Sequence, residues 1–189
     1  MFKIVEFSHI LISEYYKKYK HPDMTFIDAT CGRGNDTIYM ANILKENGHV
    51  FSYDIQEIAI NYTKNILNEQ NIKNVTLKHK SHEFIDEIEI DLVIFNLGYL
   101  PNGDKTITTN KDTTLKSIKK MVTLMELNKD MMIILVIYPG HDEGLLESNL
   151  INDYVLSLPS NKYLISRYQN YNRPTAPYII TINKDIKAK

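Results

Sequence analysis

The chain has 189 residues, 43% of them hydrophobic, and a formal net charge of −1. That length and apolar content allow one well-buried domain spanning residues 1–189, and the near-zero charge removes any global electrostatic argument for nucleic-acid binding. A single cysteine, Cys31, excludes an internal disulfide and gives no support to a cysteine-based metal centre.

No stretch approaches the roughly 18 apolar residues of a membrane span, and the first twenty residues carry charges where a signal peptide keeps an apolar block. A cytoplasmic protein with no membrane partner and no metal is expected. Charge is nevertheless uneven: Lys17, Lys18 and Lys20 cluster early, and Lys105, Lys111, Lys116, Lys119 and Lys120 cluster centrally. The stretch from Glu83 to Asp91 is acidic. Most such runs are solvated faces, so a basic contact surface is an expectation about particular residues only.

In chain order, the first predicted element is a helix within residues 1–20, with Ile4, Phe7, Leu11 and Tyr15 on one face. A strand follows at 25–29, and then the segment DATCGRGNDT, Asp28 to Thr37, which opens a second helix near Asp36. Gly32 and Gly34 allow a tight turn and close backbone approach to a ligand. The third glycine of the dinucleotide fingerprint is absent, because Thr37 stands three residues after Gly34. Together with Asp36 at the helix start, this disfavours a diphosphate and favours a cofactor carrying positive groups. The second helix is expected to stop at Asn47 and Gly48.

The second strand, 49–54, ends at Asp54, 20 residues after Gly34, where a carboxylate accepts both hydroxyls of a ribose. Ile55 and Gln56 continue that cofactor edge. Asp28 either orients the loop through backbone N–H groups or meets a cofactor amine. A third strand, 75–79, leads to Ser81 and His82, placed where an adenine would lie. For His82 a structural role is as good a reading as a cofactor contact.

The fourth strand, 91–96, ends in Asn96, followed by Leu97, Gly98, Tyr99, Leu100 and Pro101. In an open α/β sheet the ligand lies over the carboxyl ends of the strands. Asn96 and the Leu97 carbonyl can hold the hydrogens of an amine in line with a transferable methyl group, while Tyr99 offers a face for a base. The next helix, between Lys111 and Lys129, carries Leu115, Ile118, Val122 and Met125 in one stripe. A fifth strand, 131–138, ends at YPGHDEG, where His141 is a candidate proton acceptor or, alternatively, a helix cap. Strands at 163–169 and 177–183, joined without a helix, pair as an antiparallel hairpin.

Seven strands, the first five in βα units each with a helix and the last two in a hairpin, define an α/β fold with a mainly parallel sheet. It is the Rossmann-like arrangement of class I methyltransferases that use S-adenosylmethionine (SAM). A nicotinamide-dependent oxidoreductase and a non-catalytic RNA-binding protein are the readings from other classes. The missing third glycine and the terminal hairpin disfavour the first, and the intact glycine loop and Asn96 disfavour the second.

The segments DATCGRGNDT, NLGYLPNGDKTITT, TTLKSI, YPGHDEG and YQNYNRPTAPYIITINK together resemble the YtqB-like methyltransferase family over nearly the whole chain. Two places depart from the family pattern. The glycine loop reads Gly-Arg-Gly-Asn-Asp through Arg33 and Asn35, and His141 is followed by Asp-Glu-Gly. The resemblance implies SAM-dependent methylation of the amine of 5-aminomethyl-2-thiouridine at the tRNA wobble position, with rRNA or a small amine as alternative acceptors. For contact with the anticodon region of tRNA the candidates are Lys105, Lys111 and Lys116, which flank the loop after the fourth strand, and Asn170 and Arg173 of the hairpin loop, for which a solvated edge loop is an equal reading. A homodimer would widen an RNA footprint.

Overall fold

The computed structural model describes residues 3–98, 111–128 and 130–185. Seven strands appear in the predicted order: β1 (Met24–Asp28), β2 (Gly48–Asp54), β3 (Val75–His79), β4 (Leu92–Leu97), β5 (Met132–Ile137), β6 (Tyr163–Tyr168) and β7 (Tyr178–Lys184). Five helices accompany them: α1 (Ile4–Tyr19), α2 (Asn35–Leu44), α3 (Glu57–Glu69), α4 (Lys111–Leu124) and α5 (Asp142–Ser157).

The strands form one sheet ordered β3-β2-β1-β4-β5-β7-β6. β1 pairs in parallel with both β2 and β4, so the chain reverses its direction of winding between β1 and β4. β7 inserts antiparallel between β5 and β6. The hairpin therefore closes the sheet through its second strand, and β6 forms the edge.

The central strands are apolar on both faces because helices cover both. Leu92 and Ile94 of β4 face a core shared with Ile12 and Tyr15 of α1 and Met40 and Leu44 of α2. Val93, Phe95 and Leu97 face the opposite core, with Ile118 and Val122 of α4, Met125 just beyond that helix, and Ile151 and Val155 of α5. The stripe read for α4 is thus its buried face, with Leu115 half-buried beside it. On α1 the fully buried line is Ser8, Ile12 and Tyr15, while Ile4, Phe7 and Leu11 pack around it half-buried.

Two expectations are corrected. No helix links β3 to β4; a short 3-10 turn, His82–Phe84, stands there, so four βα units carry a helix rather than five. The Asn47–Gly48 pair is not the stop of α2. That helix ends at Leu44, with Lys45 in a left-handed conformation at φ 49°. Gly48 is extended and opens β2, where a Cβ would collide with the Met24 carbonyl of the neighbouring strand.

Candidate active site

A cleft of about 1140 Å³ opens over the carboxyl ends of β1, β2, β4 and β5, where the winding reverses. That is where open α/β sheets bind ligands. Its floor is the loop after β1. Ala29 N–H donates to the Ile94 carbonyl at 2.9 Å and Cys31 N–H to the Tyr53 carbonyl at 2.8 Å, which ties the loop to the strands on either side. Gly32 and Gly34 lie at φ 51° and 74°, a region that costs a residue with a Cβ. A Cβ on Gly34 would also come within 2.6 Å of the Thr63 side chain on α3.

Asp54 stands at the end of β2, on the cleft wall. Its two oxygens accept Gly32 N–H at 2.8 Å and Gln56 N–H at 2.9 Å. Burial raises its pKa, and the backbone donors oppose that rise. The carboxylate is therefore held at a fixed angle, with further lone pairs on both oxygens. Ile55, Gln56 and, after β3, Ser81 and His82 continue the wall. Ser81 caps the 3-10 turn through the N–H of Glu83. The His82 ring is 8% exposed and meets Phe95 edge-on at 5.8 Å, and burial lowers its pKa. Its Nε2 has no hydrogen-bond partner among the described residues, which leaves a buried polar atom at the cleft wall for a ligand to satisfy.

Asn96, in the last turn of β4, lines the cleft. Its backbone N–H donates to Thr30 Oγ1 at 2.7 Å, and its side-chain Nδ2 donates to Asp36 Oδ2 at 3.0 Å. Asp36 in turn bonds His9 Nε2 of α1 at 2.7 Å. Tyr138, Gly140 and His141 complete the wall after β5, and Val5 of α1 and Thr175 and Pro177 of the hairpin loop stand at its rim.

Gly32, Asn35, Asp36, Asp54, Ile55, Gln56, Ser81, His82, Asn96, Gly98 and His141 all line one cleft. Other candidates stand elsewhere. Asp28 is fully buried beneath the loop, accepting Thr30 N–H at 3.1 Å and the Thr37 hydroxyl at 2.6 Å. Asp28, Gly34 and Thr37 therefore hold up the floor and do not line the cleft. The Leu97 side chain belongs to the core. His141, which also lines the cleft, caps α5 through Nδ1, which accepts Gly144 N–H at 3.0 Å. Lys116 is exposed and pairs with Glu83 at 3.2 Å, and Asn170 and Arg173 form a turn of the hairpin loop beyond the cleft wall. Tyr99, Leu100, Pro101 and Lys105 lie outside the described residues, as does the side chain of Lys111.

Cys31 is buried, and burial pushes its thiol up to about 12, so it is a packing residue. The sequence reading missed His9, Thr30 and Tyr138. Thr30 and Tyr138 sit at strand ends already singled out and were within reach of the same rule, whereas no local signal points to His9.

The wall carries five carboxylates, Asp36, Asp54, Glu83, Asp142 and Glu143, against Arg33 and Lys80. That balance suits a cationic ligand and opposes a pyrophosphate. No helix among the described residues is long and apolar enough to cross a membrane, and no three His, Cys, Asp or Glu among them cluster as metal ligands would.

A seven-stranded sheet with this order, a reversed last strand and a glycine-turn cleft at the switch point define the α/β class of SAM-dependent methyltransferases. Residues 50–184 match the family model described as "Putative rRNA methylase", and the chain belongs to that methylase family. It is 34% identical to the chloroplastic tRNA (mnm5s2U34)-methyltransferase of Arabidopsis thaliana, over 96% of this chain and 69% of that protein. A crystal structure from Clostridium thermocellum bearing the family's description superposes with a TM-score of 0.86 at 34% identity, over 98% of this chain and 100% of that one. A Streptococcus mutans "putative methyltransferase", solved in complex with SAH, superposes with a TM-score of 0.81 at 29% identity, over 98% and 99% of the two chains.

Proposed function

We propose that this protein is the SAM-dependent methyltransferase that converts 5-aminomethyl-2-thiouridine to 5-methylaminomethyl-2-thiouridine at the wobble position of tRNA. The observation that carries the reading is Asn96, held over the end of β4 with its amide nitrogen turned to Asp36. Its acceptor end is thereby left for a substrate. The identity with a tRNA (mnm5s2U34)-methyltransferase along nearly the whole chain supports the same reaction.

The residues present fit SAM. Asp54 offers carboxylate lone pairs for ribose hydroxyls, the His82 Nε2, which has no hydrogen-bond partner among the described residues, suits an adenine edge, and the acidic wall suits the amino group and the sulfonium. At about 1140 Å³ the cleft is as large as pockets that take a small-molecule cofactor. When bound, SAM supplies an electrophilic methyl group on a sulfur that leaves neutral.

The chain's own residues position and desolvate the acceptor. The aminomethyl nitrogen must be neutral to attack, and Asn96 Oδ1 accepts one of its hydrogens so that the lone pair points along the carbon–sulfur bond. With SAM held by these residues, the methyl would pass to that nitrogen and the carbon–sulfur electron pair would stay on sulfur. The nitrogen then carries the positive charge and loses one proton, which leaves to solvent through the open mouth. Nearby carboxylates stabilise the charge that migrates from sulfur to nitrogen, an electrostatic contribution that needs no strong base. The tRNA enters by its anticodon region, with Lys105, Lys111, Lys116, Asn170 and Arg173 at its phosphates and bases, and the protein works in the cytoplasm.

The test is turnover by purified protein with SAM on tRNA that carries unmethylated aminomethyl-thiouridine, read by nucleoside mass spectrometry. Conversion is expected with the wild type, and Asn96→Ala is expected to retain SAM binding while losing about 100-fold or more in kcat. No conversion by a wild-type protein that binds SAM would remove the substrate assignment.

A further inference from the structure

The two ends of an asparagine amide are nearly the same size but opposite in hydrogen bonding, so shape alone does not choose which end faces a ligand. We propose that His9 and Asp36 form a positioning relay that locks the Asn96 amide with its oxygen toward the cleft. The relay rests on the methyl-transfer reading above for its consequence, but its geometry stands apart from it.

Asp36 connects the two partners. One oxygen lies 2.7 Å from His9 Nε2 and the other 3.0 Å from Asn96 Nδ2, across 27 and 60 positions of sequence. A carboxylate only accepts, so it selects the nitrogen end of Asn96 and turns the oxygen away from itself. Asp36 is 4% exposed, and a buried carboxylate needs donors on both oxygens. The Asn96 amide and the His9 ring supply those donors, and Asp36 stands in the first turn of α2, where a carboxylate suits the helix.

His9 is itself fixed. Its ring stacks on Tyr39 with centroids 3.8 Å apart and planes 11° apart. The Tyr39 hydroxyl donates to the His9 carbonyl at 3.0 Å and is bonded to Ser13 Oγ at 2.7 Å. The Asn96 backbone is pinned separately by Thr30. Helix α1 thus sets the orientation of an atom at the reacting centre through its packing on α2.

Losing the relay removes the selection without removing Asn96. In Asp36→Asn an amide faces an amide, and both orientations of Asn96 are satisfied. His9→Ala withdraws the donor that stabilises the Asp36 carboxylate, and His9→Gln restores an N–H close to the lost one. These variants are compared with the wild type in two measurements. The first is NMR of the Asn96 side-chain amide in 15N-labelled protein, assigned by its disappearance in Asn96→Ala. A distinct, slowly exchanging proton is expected in the wild type and in His9→Gln, and an averaged, fast-exchanging pair in His9→Ala and Asp36→Asn.

The second is kcat and KM on aminomethyl-thiouridine tRNA. A loss on the order of 10–100-fold in kcat, the size typical when an outer hydrogen-bond partner that orients a functional group is removed, is expected in His9→Ala and Asp36→Asn. KM for SAM should stay within about twofold, and His9→Gln should recover part of the rate. Unchanged Asn96 amide signals in both variants would overturn the relay. So would a kcat loss that tracks lost SAM affinity and melting temperature without rescue by His9→Gln, since that marks a packing role. If the wild type binds SAM but methylates no tRNA, the functional reading fails while the NMR measurement still decides the relay.

Discussion

Asp54 and Asp28 are two carboxylates a few ångströms from one loop, and their surroundings assign them different work. Asp54 reaches the cleft with both oxygens aimed by backbone donors, and its replacement removes the acceptor proposed for the cofactor's ribose. Asp54→Ala should weaken SAM binding about 10-fold or more, the scale of a lost hydrogen bond to a charged group. Calorimetry showing unchanged affinity would place the ribose elsewhere. Asp28 never reaches the cleft. Burial first, and then the charge of Asp36, push its carboxyl up to about 7, against the Thr37 and Thr30 donors that lower it. Between about pH 4 and 7 the folded state therefore holds a proton that the unfolded chain has released, so this group's contribution to stability falls as pH rises through that window. Asp28→Asn keeps an acceptor for Thr37 and should flatten that part of the urea-midpoint profile. A profile identical to the wild type would show that Asp28 is ionised throughout.

At the scale of elements, the loop between β1 and α2 depends on one backbone conformation. Gly34 combines φ 74° with a Cβ position blocked by Thr63, so Gly34→Ala should cost about 1–3 kcal/mol in thermal unfolding and loosen the cofactor loop. A variant as stable as the wild type would mean that α3 yields without effort. Its glycine was readable in the sequence because a strand, a glycine pair and a helix follow one another locally. Gly48 looked like a second such signal and was not. It serves the close approach of β2 to Met24, a contact between strands that the sequence does not announce. The missing helix after β3 has the same origin. Residues 82–84 make a single 3-10 turn, and the packing of Ile85 and Ile90 into the core of α4 takes the place a helix would fill.

For the whole molecule, the acidic cleft poses a problem for the proposed tRNA acceptor, a polyanion. In that proposal lysines outside the cleft hold phosphates while a neutral base enters. Lys116 is 70% exposed and its pairing with Glu83 is worth little in water, so it can exchange that carboxylate for a phosphate. Lys111→Ala and Lys116→Ala together should raise KM for tRNA. Each lysine that contacts a phosphate should also reduce the salt slope of binding by about 0.7–0.9. An unaltered slope would put the tRNA on another face.

The amino-acid sequence by itself determined the seven strands, the glycine turn, the acid ending β2 and the asparagine ending β4. Each depends on hydrophobic period and on residues within one βα unit, where neighbours in sequence are neighbours in space. Tertiary structure decided that Asp28 and Thr37 lie under the floor, that His141 caps α5, and that β7 enters the sheet before β6. It also brought His9 to Asp36 and Asp36 to Asn96. The direction of a side chain at a strand end depends on which distant segment packs over it. Here that segment is α1, and its contact with the site exists only once both cores have formed.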